Sequence, residues 1–514
     1  MTARTVMVQG TASSVGKSLV VTALCRIFCR AGLRVAPFKA QNMALNSAVA
    51  DEGGEIGRAQ AVQAEAAGIA PSIDMNPILL KPEGDASSQV VVMGRRLGTM
   101  RAGEYHACKP DLRGVIAEAL ARLRSRVDLV VIEGAGSPAE VNLKDRDIVN
   151  MHVARAADAP VLLVGDIDRG GVFAALVGTM DLLEPDERAR VAAFLVNKFR
   201  GDRRLLEPGL DFLERRTGVP VLGVLPYVRD LRIADEDSVS LDDRRDRATR
   251  AGELEIAVVR LPRISNYDDL EPLEHEPGVV VRWVTAPGDL ATADLVVLPG
   301  SKCTATDLRW LRQAGLAAAV AARAERGEPV LGICGGCQML GAEILDPHSV
   351  ESSEGRTAGL GVLPISTHFQ REKTTAQVRG RLAVASILGS PGMVLSGYEI
   401  HMGAVERREG AHAALAITSR NGAVCDAPDG AVAAGGAVVG TLVHGVFEND
   451  EVRAALLAEL RARRGLVVPR LPPVPTREAE YDRLARSVLE NVDWPLLCRI
   501  VGVFPPRPSL GTEP

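Results

Sequence analysis

Aromatic residues make up only 3% of the 514-residue chain, so its cores must be built from Ala, Val, Leu and Ile. No stretch reaches the roughly 18 uninterrupted apolar residues that a membrane-spanning helix needs, so no membrane partner is expected. The N-terminus lacks an apolar signal-peptide core and a cleavage site, and the expected location is cytoplasmic. The net charge is −5 and no basic stripe stands out, which argues against a nucleic-acid partner. An acidic ligand would have to be held by local Lys and Arg rather than by a global field. Cysteine is sparse and irregular, with eight residues in a chain far too long for a disulfide scaffold. Cys334 and Cys337 form a CxxC, but no second CxxC or HxxxH follows at zinc-site spacing. Reduced thiols fit best. Internal repeats and low-complexity tracts are also missing.

What is present is length for two to four domains, and 50 glycines for tight turns. In the first half, short apolar runs at 5–10, 34–40, 128–136, 159–168 and 191–199 alternate with helical patterns such as 18–32 and 114–125. This rhythm predicts a mostly parallel sheet covered on both faces. It breaks at 230–250, a charge-dominated stretch without apolar periodicity, read as a linker. A second α/β rhythm follows at 253–261, 278–284, 294–300 and 328–336. A Pro-rich run at 471–476 leads into a helical pattern over 476–492, either a helical appendage or a docking tail. The predicted domains are 1–229, a linker 230–250, 251–470 and an extension 471–514.

Two motifs carry chemistry. Gly10-Thr11-Ala12-Ser13-Ser14-Val15-Gly16-Lys17-Ser18 lies between a strand and a helix. Such a loop turns backbone N–H groups and a helix N-terminus toward phosphate oxygens. Gly10, Thr11, Ser14, Val15, Gly16, Lys17 and Ser18 are therefore candidate ATP contacts. Lys17 would neutralise the β- and γ-phosphates, and Ser18 would ligate Mg²⁺. Glu133, in the closing residues 132–136 of the 128–136 run, is the candidate second Mg²⁺ contact. The loop has one residue more before Gly-Lys-Ser than the common form, and this longer version resembles dethiobiotin synthetase and its relatives. In that group an Asn at a strand end meets the adenine, which implies that role for Asn197.

The second motif surrounds Cys334. Residues 329–340 read as strand, sharp turn and helix, the pattern of a nucleophile elbow. A thiolate at a helix start is favoured by the dipole and suits attack on an amide carbonyl. The Gly335 N–H, with a donor from the Gly300 loop, is the candidate oxyanion hole. His444, at the end of the apolar run 438–443, is the candidate base. Many glutaminases of this class carry a Glu two residues later, but Val446 stands there. A Cys–His dyad and an additional group remain open, with Glu448 a candidate; Cys337 is expected to be structural.

These halves, in this order, resemble the cobyric acid synthase family of glutamine-hydrolysing enzymes over nearly the whole chain. The phosphate loop and Cys elbow are shared with the a,c-diamide synthases of cobalamin biosynthesis. Residues 38–47, 76–82, 166–171 and 397–403 look closer to cobyric acid synthases, which also look like a dyad at the position of Val446. The resemblance implies a dethiobiotin-synthetase-like parallel-sheet domain followed by a class I glutamine-amidotransferase-like α/β domain. It implies ATP-dependent amidation of the b, d, e and g carboxylates of adenosylcobyrinic acid a,c-diamide through acyl phosphates, with ammonia from glutamine and Mg²⁺ as cofactor. Lys39, Gln41, Asn42 and Asn46 are candidate contacts to the corrinoid's carboxylates or to phosphate. His401 is either a neighbour of the Cys334 site or a packed strand-end histidine. Rival expectations are amidation of another acid (the a,c-carboxylates or a cell-wall precursor), a dethiobiotin-type synthetase with a dead glutaminase half, and a P-loop switch protein. Oligomeric state is not readable from the sequence.

Overall fold

In the computed structural model the described residues are 2–83, 87–234, 249–250, 252–467 and 475–510. Most of the charged 230–250 stretch, the domain start at Ala251 and most of the Pro-rich run at 471–476 lie outside them.

The first half is built on a six-stranded parallel sheet in the order Val221–Pro226, Val191–Phe199, Val161–Asp166, Arg4–Gly10, Leu129–Glu133, Val35–Phe38. The central strands are apolar on both faces because helices cover both, so Val6, Val8, Val131 and Leu163 are fully buried. The strand Arg4–Gly10 lies mid-sheet, and the chain leaves it first toward one edge and later toward the other. Ligands bind open parallel sheets at such a switch point, beyond the carboxyl ends of the strands.

Residues 41–101 depart from the βα rhythm. They contribute a small sheet in the order Gln41–Met43, Ile78–Pro82, Ser87–Val92, Arg95–Arg101, a short strand pair at Ser47–Val49 and Glu55–Gly57, and the helix Arg58–Ala66. These strands are short, and several are polar or half-exposed, so they leave little apolar period to read.

The second half carries another six-stranded sheet: Val279–Val284, Leu254–Val259, Leu295–Leu298, Val330–Ile333, Val438–Thr441, Ala431–Ala433. Only its last strand is antiparallel. A long antiparallel hairpin, Ile365–Leu382 with Val394–Arg407, leans over the Cys334 end of this sheet and pairs with Val443–His444.

The C-terminal helices Arg477–Leu489 and Trp494–Val501 are neither a loose appendage nor a free tail. Tyr481, Leu484, Val488, Trp494 and Leu497 join the core cluster of the first half. The Trp494 ring lies 5.4 Å from that of Phe28. Arg26, on the phosphate-loop helix Lys17–Arg30, pairs with Asp482 at 2.7 Å and with Glu478.

Candidate active sites

The phosphate loop closes over the end of Arg4–Gly10. Gly16 takes φ 97°, and a Cβ there would lie 2.2 Å from Asn197 Nδ2, so both conformation and contact demand glycine. Asn197 Nδ2 donates to the Val15 carbonyl at 2.8 Å. Its amide therefore supports the loop's own backbone. Lys198 donates to the Ser14 carbonyl at 2.7 Å and pairs with Asp166 at 2.8 Å, bracing the same turn from the next strand. Lys17 Nζ donates to the carbonyls of Ala12 and Gly136, at 2.9 and 3.1 Å.

Ser18 and Glu133, the candidate Mg²⁺ contacts, lie side by side at the foot of the loop. Ser18 Oγ donates to Glu133 Oε1 at 2.9 Å, and Lys39 Nζ reaches the same oxygen at 2.8 Å. Gln63 Nε2 donates to Glu133 Oε2 at 2.5 Å. A hydroxyl and a fully buried carboxylate at the foot of a phosphate loop are hard oxygen donors that suit Mg²⁺. A cavity of about 680 Å³ opens beside them, lined in part by Lys17, Ser18, Lys39, Gln41, Asn42 and Glu133. Lys109, Lys144, Arg146 and Arg169 add positive charge to its wall. Gln41 accepts from the Tyr105 hydroxyl at 2.5 Å, and Asn42 donates to Gln60 at 3.1 Å. Asn46 is fully buried away from this cavity, beside the strand pair. Asn150, not anticipated, also lines the cavity and clasps Ala135 through N–H and C=O at 3.1 and 2.7 Å.

The elbow forms at Cys334, which takes φ 50° and ψ −108° just before the helix Gly335–Leu340. That strained backbone lifts the thiol out of the strand–helix turn. A Cβ on Gly336 would sit 1.9 Å from the Leu298 carbonyl, so the turn packs directly on the neighbouring strand end. The Gly300 loop follows that strand, and Ser301 N lies beside Gly335. Both candidate oxyanion glycines thus stand at the elbow. Cys334 is within hydrogen-bonding reach of His444. Cys337 is fully buried, and burial pushes its thiol well above the ordinary range, as suits a structural residue.

The histidine has a third partner. His444 Nδ1 is 2.6 Å from Asp269 Oδ2, and Asp269 Oδ1 accepts from the Gly445 N–H at 2.7 Å. This amends the dyad expectation and sets Glu448 aside, since its carboxylate pairs with Arg477 instead. Asp269 follows the strand Leu254–Val259 in a polar turn, 175 residues before the histidine, and no local motif marks it. Burial alone would lower the His444 pKa, but Asp269 and Cys334 outweigh it and raise it to about 10. A histidine set between a carboxylate and a cysteine sulfur is the arrangement that activates a thiol nucleophile. The small cavity at Cys334, about 50 Å³, is also lined by Gln338, Glu351, Lys373 and His401, so His401 is a site neighbour.

Comparison with known proteins agrees with this pair of centres. A CobQ/CobB/MinD/ParA nucleotide binding domain matches residues 6–241, and a CobB/CobQ-like glutamine amidotransferase domain matches 255–452. A cobyric acid synthase from Sorangium cellulosum is 66% identical over 98% of this chain and 99% of its own length. One from Moorella thermoacetica is 52% identical over 98% of each. The chain belongs to the cobyric acid synthase family.

In this family member residues 38–47, 76–82 and 397–403 meet at the boundary between the halves, while 166–171 lies beside the phosphate loop. Asn76, from 76–82, donates to the Lys39 carbonyl at 3.0 Å and accepts from the Gly57 N–H at 2.9 Å. Lys81, from the same segment, pairs with Glu55 at 2.7 Å, and Glu55 also binds Lys373 of the second half. Tyr398, from 397–403, stacks on His444. Lys81 and Gln89 of the first half line the Cys334 cavity, so the second centre is walled partly by the first. Among the described residues no helix is long and apolar enough to cross a membrane.

Proposed function

We propose that the chain is a cytoplasmic enzyme of cobalamin biosynthesis that amidates the b, d, e and g carboxylates of adenosylcobyrinic acid a,c-diamide. Residues 1–229 activate the carboxylate with ATP, 251–470 release ammonia from glutamine, 230–250 link them, and 471–514 complete the first half. The observation that carries this reading is the pairing, in one chain, of a phosphate loop with a Ser18–Glu133 corner and a Cys334–His444–Asp269 centre.

Carboxylate is a poor electrophile, so the acid must first be activated. A corrinoid carboxylate oxygen attacks the γ-phosphorus of ATP, forming an acyl phosphate and ADP. Lys17 and the loop N–H groups of 10–18 hold and neutralise the phosphates, and Asn197 lies by the nucleotide. Mg²⁺, held by Ser18 and Glu133, would offset phosphate charge. Lys39, Gln41, Asn42 and the basic residues of the cavity wall receive the substrate's carboxylates.

At the second centre, Cys334 Sγ attacks the amide carbon of glutamine. The oxyanion is met by N–H groups at Gly335 and the Gly300 loop. His444 gives its proton to the departing nitrogen, Asp269 holds the imidazole, and ammonia leaves a thioester. Water then hydrolyses the thioester to glutamate and returns the thiol. Ammonia attacks the acyl phosphate, giving the amide and inorganic phosphate.

The test is mass spectrometry of the purified protein with adenosylcobyrinic acid a,c-diamide, MgATP and glutamine. Four successive acid-to-amide conversions, absent without ATP, are expected. ATP-dependent glutamine consumption with some other acid, and none with the corrinoid, would overturn the substrate.

A further inference from the structure

The helix Arg58–Ala66 belongs to the first half, yet its side chains reach both centres. Gln63 binds the carboxylate of Glu133 at the phosphate loop. Arg58, at the first turn, points across the boundary. Its guanidinium pairs with Asp268 at 2.8 Å, donates to the Ser47 carbonyl at 3.0 Å, and donates to the Tyr398 hydroxyl.

Both partners in the second half lead directly to His444. The Tyr398 ring stacks on the imidazole, with centroids 5.2 Å apart and planes 12° from parallel. Asp268 immediately precedes Asp269, which binds His444 Nδ1. Asn266, from the same turn, donates to the Tyr398 hydroxyl at 3.1 Å and to the Ser47 carbonyl at 3.2 Å. The imidazole is thus fixed by a carboxylate at one nitrogen and a ring on one face. Arg58 braces the supports of both.

We propose that Arg58 is a positioning residue of the glutaminase reaction, supplied across the boundary by the ATP-binding half. It touches neither glutamine nor the thiol. It holds Tyr398 in register with the imidazole and compensates the buried Asp268 carboxylate, so that the turn carrying Asp269 keeps its place. Without it, a buried carboxylate beside Asp269 loses its cation, and the turn must shift or take up a proton. His444 would then be mis-set for proton delivery, although Cys334 and the substrate pocket remain. A general acid–base group tolerates little misplacement, so the loss falls on turnover rather than on binding.

The inference rests on the glutaminase assignment above, but not on the corrinoid. The experiment uses the full chain with Arg58→Ala, Arg58→Lys and Asp268→Asn, following glutamate release from glutamine and, separately, amidation driven by ammonium. In Arg58→Ala, kcat for glutamate release should fall roughly 10- to 100-fold, the span of couplings between contacting residues, with KM for glutamine within about twofold. Ammonium-driven amidation should stay within about twofold, which also certifies the fold. Arg58→Lys should recover part of the loss, and combining Arg58→Ala with Asp268→Asn should cost less than the product of the two. Unchanged glutamate release in Arg58→Ala, a rise in KM alone, or an equal fall of ammonium-driven amidation would overturn the proposal. If the unaltered protein releases glutamate but amidates no corrinoid, the substrate reading fails instead. The kcat comparison, with thermal unfolding midpoints as the fold control, still decides the role of Arg58.

Discussion

At the phosphate loop the cavity measures about 680 Å³ and its wall carries Lys39, Lys109, Lys144, Arg146 and Arg169. At Cys334 it measures about 50 Å³ and its nucleophile, histidine and carboxylate are all buried. Both centres stand at the carboxyl ends of a parallel sheet, so the difference is not one of fold. It follows from what each must admit. The first has to take a nucleotide and the edge of a large polyacid, and keeps a wide, positively lined opening. The second takes one small amide and needs only a small pocket.

Four substitutions separate the two regions. Cys334→Ala should cut glutamine-driven amidation by at least ~10⁴-fold, as loss of a nucleophile does, and spare amidation from ammonium. Equal loss with both nitrogen sources would break the two-centre comparison. Asp269→Asn should lower glutamate release by about 10²- to 10⁴-fold, since the imidazole loses its orienting carboxylate. The same change removes the Asp269 charge, which together with Cys334 raises the His444 pKa to about 10. His444 then deprotonates at lower pH, and the alkaline limb of the glutaminase pH profile should move downward. An unmoved limb would show that another group controls it. Lys17→Ala should reduce ATP-dependent amidation from either nitrogen source by roughly 10²- to 10³-fold, read as product per minute, and leave basal glutamate release in place. Normal synthesis in that variant would refute the phosphate-loop assignment. Trp494→Ala has the mildest effect on chemistry. It should destabilise the ATP-binding half by about 3–5 kcal/mol, because the ring is buried against Phe28. Urea unfolding followed through ATP binding measures this, and an unchanged midpoint would detach the C-terminal helices from that half.

The comparison also explains what could be read from the sequence. The parallel strands, the loop at 10–18 and the elbow at Cys334 are contiguous runs whose periodicity or spacing is visible locally. Glu133 was legible because it ends a strand, and His444 for the same reason. Asp269 was not, because its partnership with His444 spans 175 residues and depends on the exact closure of a turn. Asn150 and Arg58 escaped likewise, since each acts on backbone or side chains supplied by distant segments. The helical pattern at 476–492 was plain, but its docking against Lys17–Arg30 was not, because an amphipathic face names no partner. The corrections therefore fall on tertiary pairings, while the local elements stand.

On the proposed reading, the buried centre feeds the open one. Ammonia set free in neutral water is mostly protonated and loses its nucleophilicity, which favours direct passage between the halves. The decisive measurement incubates the protein with corrinoid acid, MgATP, glutamine labelled with ¹⁵N at the side-chain amide, and an excess of unlabelled ammonium. Amide products should carry ¹⁵N in the unaltered protein and unlabelled nitrogen only in Cys334→Ala. Products that take the isotope ratio of the bulk ammonium in the unaltered protein would contradict it.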